Sequence, residues 1–271
     1  MKLFISLFSF LLCFQTFSQQ TKYNLQQENL KGKLHYYIVK TFITKNPNEE
    51  PVQKYAAKKI FNTDGVLTEI DNYDADSKLL GKIIYEIKDG LLIRETFFNA
   101  IGNPDKITTY EYDEQGRVST QKKINNAGKL QFQTTYLYNA KGQLSATHKL
   151  IPSINYTMKE SYQYDAVGNL IEIAKKVRIG TTKELYAYNS QKQQIKKSEF
   201  NAIGELFSVI TYEYNTKGDK TGLKKHDASG ALTYFESYQY QYDEHDNWTE
   251  RTSFEKGKKV SVEKRTITYY Q

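Results

Sequence analysis

Through the middle of the chain, apolar and polar positions alternate in short runs, and each run ends at a turn signal. In TTYEYDEQG, Tyr110 and Tyr112 lie two apart, with Thr109 and Glu111 in the intervening places. On a strand successive side chains point to opposite faces, so the tyrosines share one face and Thr109 and Glu111 the other. Asp113 then suits the first place of a type I turn, and Gly116 the left-handed position three residues on. The phrase Tyr-x-Tyr-(Asp/Asn) recurs from Tyr110, Tyr136, Tyr162, Tyr186, Tyr212 and Tyr240, at separations of 26, 26, 24, 26 and 28 residues. A second turn falls midway in the unit, as FNAIG at Phe98 and again at Phe200, INNAG at Ile124 and HDASG at His226. Each unit therefore reads as two strands and two turns, an up-and-down hairpin step repeated in tandem.

The pattern reaches upstream in weaker form, with IFNTDG at Ile60, NYDADS at Asn72, where Ser77 replaces the glycine, and the shorter YEIKDG at Tyr85. A first hairpin is expected around Asn46–Pro51, between strands beginning near Lys33 and Val52. Helical periodicity is lacking, and only Asn189–Lys197 has a composition that would suit a helix; its place in register with the other turns says otherwise. The predicted fold class is all-β: tandem hairpin repeats of about 26 residues forming one long, curved or spiralling antiparallel meander sheet. Its concave side is expected to hold the tyrosines, and its end strands to be protected by charge. The predicted organisation is a leader over 1–20 and a single β domain over 21–271, with clear repeats over 110–248, divergent ones over 33–109 and terminal strands over 249–271.

The leader reading rests on Lys2 followed by the apolar stretch LFISLFSFLLCF, too short to span a bilayer. It sends the chain to the periplasm, the cell surface or the medium. Cys13 is the only cysteine and sits within that stretch after Leu11 and Leu12, so it reads as part of the leader rather than a lipidation site. The exported chain then has neither disulfides nor a thiolate site. Loss of Lys2 leaves 37 basic against 31 acidic residues, with lysines in every repeat. That spread reads as a solvated strand face, and nucleic acid is not expected as a partner. No later segment is apolar enough to cross a membrane as a helix. An outer-membrane barrel weighs lightly, because both rows of turns are short and the strands are dense in Lys and Glu.

The phrases YEYDEQGRV and YQYDAVGNL resemble the YD repeat of the rearrangement-hot-spot family, well over Tyr110–Trp248 and loosely over Ile60–Asn99. The resemblance implies a β strip wound into a shell or spiral, which in large members encloses a toxic C-terminal domain, and an association with carbohydrate at the cell surface. This chain ends at EKRTITYYQ without such a domain, and the repeat carries over no catalytic residue.

Candidate chemistry is sparse. His35, His148, His226 and His245 show no ligand-like spacing, and the acidic turn Asp243, Glu244 and Asp246 reads as turn-forming rather than calcium-binding. No cofactor, metal or catalytic residue is expected. The leading expectation is a non-catalytic scaffold that binds a protein or a cell-surface glycan. A carbohydrate-binding module would use Trp248, Tyr242, Tyr214, Tyr188 and Tyr164, and an immunity-type partner of a toxin is a further possibility. A closed sheet would leave the outer face and the irregular loops at Leu150–Asn155, Ser190–Gln194 and Glu244–Trp248 as the places to look for function.

Overall fold

The computed structural model describes residues 29–44 and 49–270. The proposed leader and part of the first hairpin turn lie outside them. Eighteen strands follow in chain order. The first nine are β1 (Leu34–Ile43), β2 (Val52–Phe61), β3 (Leu67–Tyr73), β4 (Leu79–Lys88), β5 (Leu91–Asn99), β6 (Pro104–Tyr112), β7 (Val118–Asn125), β8 (Leu130–Tyr138) and β9 (Leu144–Ile151). The second nine are β10 (Tyr156–Tyr164), β11 (Leu170–Val177), β12 (Gly180–Tyr188), β13 (Gln194–Phe200), β14 (Leu206–Tyr214), β15 (Lys220–Asp227), β16 (Leu232–Tyr242), β17 (Trp248–Glu255) and β18 (Lys258–Tyr269). Between β9 and β10 runs a single 3-10 turn, Pro152–Ile154. Asn189–Lys197 is a turn leading into β13, as its register required.

The expected open or spiralling sheet is corrected by one pairing. Each strand is antiparallel to its sequence neighbours, and β1 also pairs with β18, from Leu34↔Tyr269 to Ile43↔Ser261. The sheet is therefore a closed, up-and-down barrel of eighteen strands, and the end strands thought to need charge protection do not exist. Substantial contacts between strands run only around this ring.

The repeat phrase builds its turn as the residue types require. In the first clear repeat the Gly116 amide donates to the Asp113 carbonyl (2.9 Å), and Asp113 Oδ1 accepts from the amides of Gln115 and Arg117 (3.0 and 2.9 Å). Gly116 has φ +71°, and the strand register slips between Glu111 and Tyr112, the mark of a bulge next to the turn. Where glycine is replaced, the geometry persists. Ser77, Lys192 and Asp246 hold φ of 62°, 61° and 62°. The loops at Lys192 and Asp246 are thus not reshaped, and only Leu150–Asn155 departs, closing its 3-10 turn on a left-handed Asn155 (φ 43°).

The two faces of the sheet differ. Along β10, Tyr156, Met158, Glu160, Tyr162 and Tyr164 are half-buried while Thr157, Lys159, Ser161 and Gln163 are exposed; β12 and β16 alternate in the same way. With no second layer among the described residues, only the inside of a closed sheet can be the more covered side, so the tyrosines line the interior. Its best-packed sector surrounds the closing seam, where Leu30, Leu34, Tyr37, Val39, Phe61, Leu67 and Trp248 form one buried cluster.

The turns that follow the even-numbered strands from β2 to β16 lie on one rim with both chain ends, termed here the terminal rim. Those that follow the odd-numbered strands lie on the far rim.

Candidate functional site

Inside the barrel, the second tyrosine of the repeat is used as a latch. Tyr112, Tyr138, Tyr188 and Tyr214 donate their hydroxyls to the carbonyls of Leu92, Val118, Leu170 and Gln194, at 2.5, 2.7, 2.8 and 2.9 Å. Each acceptor lies at or beside the start of the preceding strand, so each latch ties one hairpin to itself near the terminal rim. In β16 the longer spacing moves the role to Tyr240, which donates to the Lys220 carbonyl at 2.6 Å. The tyrosine two residues earlier meets a carboxylate in four strands: Tyr110 donates to Glu95 (2.7 Å), Tyr162 to Glu160 (2.9 Å), Tyr186 to Glu184 and Tyr238 to Glu236, whereas Tyr136 donates to Gln121 Oε1 (3.4 Å).

These carboxylates belong to an internal ionic belt. On β12 to β15, Lys197 pairs with Glu184 (3.6 Å) and Glu199 (2.5 Å), Lys225 reaches Glu199 (3.5 Å), and Ser208 donates to Glu199. The side chains of Lys197 and Glu199 keep 20% and 23% of their exposure, so the interior is lined rather than filled. Burial of Glu199 opposes ionisation, but Lys197, Ser208 and Lys225 prevail and hold its carboxyl below the usual range. Nearer the seam, Arg251 pairs with Glu263. Burial holds Lys220 down to about 8, with Arg251 adding to the effect and Glu236 opposing it.

The five residues predicted to meet a sugar do not converge on one open surface. Tyr164, Tyr188, Tyr214 and Tyr242 sit on alternate strands, β10 to β16, one beside the other along the terminal rim; Trp248 opens β17 in register with Tyr242. Tyr188 and Tyr214 are latches. Tyr242 donates to Asp219 (2.8 Å), accepts from Asn215 (2.7 Å) and has Lys217 over its ring at 4.9 Å. Trp248 is buried, with Arg265 over its ring at 3.4 Å and Arg251 at 5.4 Å. Of the five, Tyr164 alone has a buried hydroxyl without a hydrogen-bond partner among the described residues. Cations also stand over other interior rings: Arg117 over Tyr138 and Lys220 over Tyr212, each at 4.4 Å. The π-faces of Tyr242 and Trp248, on which a pyranose would stack, are thus already covered by cations.

The acidic turn has a structural task. Asp243 accepts the amides of His245 and Asn247 and the hydroxyl of Tyr269, while Asp246 pairs with Lys31 and Lys217. Asn247 is wholly buried: its Oδ1 accepts the Lys31 amide (2.7 Å), and its Nδ2 donates to the Lys31 carbonyl (2.8 Å) and to Tyr269 Oη (2.7 Å). One turn therefore clasps the segment leading into β1 and the end of β18, the two strands of the seam. No group of three or more His, Cys, Asp or Glu is placed to hold a metal among the described residues.

The outer surface is polar on most strands and carries ion pairs such as Lys224–Glu213 (2.7 Å). It lacks the continuous apolar band by which a membrane-spanning barrel meets lipid, and no helix among the described residues is long and apolar enough to cross a membrane. The exposed apolar side chains gather at one end. Of fourteen large ones, ten lie on the far rim or within four residues of its turns; Ile101 and Ile179 are 80% and 79% exposed. Sequence reasoning passed over these isoleucines, although FNAIG shows one beside the turn glycine twice, because the Asn and Gly explained the turn without it.

No family model and no curated protein matches the chain. Among solved structures it is similar to a porin-like protein of Bacteroides uniformis ATCC 8492, at 16% identity and a TM-score of 0.47, over 87% of this chain and 98% of that one. A porin-like protein of Bacteroides vulgatus ATCC 8482 is similar at 10% identity and a TM-score of 0.31, over 88% and 99%. A TcdB2-TccC3-Cdc42 structure is similar at 14% identity and a TM-score of 0.32, over 74% of this chain and 14% of that one. At these scores the likenesses assign no function, and the barrel stands on its own geometry.

Proposed function

We propose that the protein is a non-catalytic, exported scaffold that acts by contact at the cell envelope, through its outer surface and rims rather than through its tyrosines. The observation that carries this reading is the direction of the repeat. Closure turns the aromatic face inward, where most of the repeat's hydroxyls are tied to backbone or carboxylates and several rings lie under cations. What remains open to a macromolecule is the outer face and the two rims. The leader-like start supports export, and the resemblance to YD repeats is consistent with work at a cell surface.

Sedimentation with envelope fragments from cells that express the chain tests the proposal. The protein should pellet with the fragments, and Tyr186→Phe, inside the barrel, should pellet equally well. Failure to pellet would overturn it. So would a saccharide that changes the fluorescence of Trp248, the single tryptophan, with the response lost in Tyr214→Ala; the interior would then be the binding surface.

A further inference from the structure

On the far rim, three consecutive turns each end in an exposed isoleucine: Ile154 between β9 and β10, Ile179 between β11 and β12, and Ile203 between β13 and β14, at 65%, 79% and 71% exposure. Alternate connections of a sheet stand two strand spacings apart, about 10 Å. The tips are thus separate aliphatic projections along the barrel axis, not the walls of a groove. Two of them are fixed to one another. The Thr181 amide donates to the Ala202 carbonyl of the next turn (3.1 Å). Gly180, at φ +152°, makes that approach possible, because a Cβ there would stand 1.9 Å from the same oxygen. Phe207, 62% exposed, stands at the start of β14, just after the turn that carries Ile203.

The charge beside these tips is predominantly positive, three exposed cations against one exposed acid. Lys159, Lys176 and Arg178 are exposed on β10, on β11 and in the turn carrying Ile179, and none has a carboxylate within ion-pairing distance among the described residues. The exposed acid of the same turns is Glu205, which accepts a hydrogen bond from Asn201 (3.0 Å).

We infer that this rim docks onto an anionic lipid surface, with Ile154, Ile179 and Ile203 entering the headgroup boundary and the three cations meeting lipid phosphates. Separate aliphatic tips suit a fluid interior that closes round each one, whereas a shaped protein partner would call for a contiguous patch. Basic residues next to buried apolar groups add attraction to acidic lipids. The inference rests on the proposed contact role of the rims and supplies its partner.

The test uses the exported chain with phosphatidylcholine vesicles, with and without one quarter phosphatidylglycerol. Binding should require the acidic lipid. It should fall about tenfold or more in Ile154→Ser/Ile179→Ser/Ile203→Ser and weaken in Lys159→Glu/Arg178→Glu. Val167→Ser, at a 73% exposed tip on the terminal rim, should bind as the parent does. As a site-specific readout, an environment-sensitive dye on Ile179→Cys of the exported chain should shift to the blue on vesicles, and the same dye on Val167→Cys should not. The inference fails if the parent ignores both vesicles, if Val167→Ser weakens binding as much as the triple change, or if both dyes respond alike. Loss of envelope binding by the triple variant without any vesicle binding would also sink it. In that case the scaffold reading stands, with a protein or a second copy of this chain as the partner.

Discussion

Single tyrosines carry much of the fold's electrostatic character. Burial raises the phenols of Tyr136, Tyr138 and Tyr240 to about 12; nearby carboxylates add to the effect, while Arg117 opposes it at Tyr138 and Arg251 at Tyr240. The unfolded chain loses these protons first, from near pH 10, so the stability they contribute is complete below pH 10 and is lost as pH rises toward 12. Lys220 acts in the opposite sense. Its folded value of about 8 is below the ordinary 10.5, so the cost of burying its charge is relieved between those two pH values. Urea midpoints should therefore rise slightly from pH 8 to 10 and then fall steeply, with the tyrosinate absorbance appearing in one cooperative step; Lys220→Met should abolish the rise. A gradual tyrosinate titration centred on pH 10 would show the interior to be fully wet. Asn247 is a second residue on which much depends. Asn247→Ala removes the hydrogen bonds that the buried Asn247 side chain makes to the Lys31 amide and carbonyl, at a cost of about 2 kcal/mol, readable as a drop in the urea midpoint.

At the scale of the element, the unit is a hairpin whose turn tolerates substitution without changing shape. Lys192 occupies a left-handed position that costs a side chain about 1 kcal/mol relative to glycine. Lys192→Gly should raise stability by about that amount in calorimetry. Asp246→Gly should give no such gain, because the same change removes the ion pairs to Lys31 and Lys217. Equal gains in the two variants would mean that the clasp contributes nothing. The reshaped turn at Pro152–Ile154 is also one of those that lift an isoleucine from the far rim. Departure from the repeat and apolar exposure coincide there, while at Glu244–Trp248 the departure serves closure.

At the scale of the whole molecule, closure gives β1 two partners. Ile38 pairs with Thr266 on one side and Lys58 on the other. In an open sheet, amides of an edge strand point alternately to its neighbour and to solvent, so of Ile38→Pro and Val39→Pro one would be tolerated. In the barrel neither should be, each costing at least about 2 kcal/mol in urea unfolding. Tolerance of either variant would argue for an open seam.

The sequence by itself determined the strands, the turns and the common face of the tyrosines, because these depend on the alternation of Tyr110 and Tyr112 and on the Asp113-to-Gly116 spacing. Only the tertiary structure decided that the strip closes. Closure depends on the register of β1 against β18 and on Asn247 meeting Lys31, 216 residues away; no local pattern records such a meeting. The same closure decided what the tyrosines are for, since a face turned inward and tied to carbonyls becomes a latch. The meander order itself, closed or open, sets Ile154, Ile179 and Ile203 on one rim.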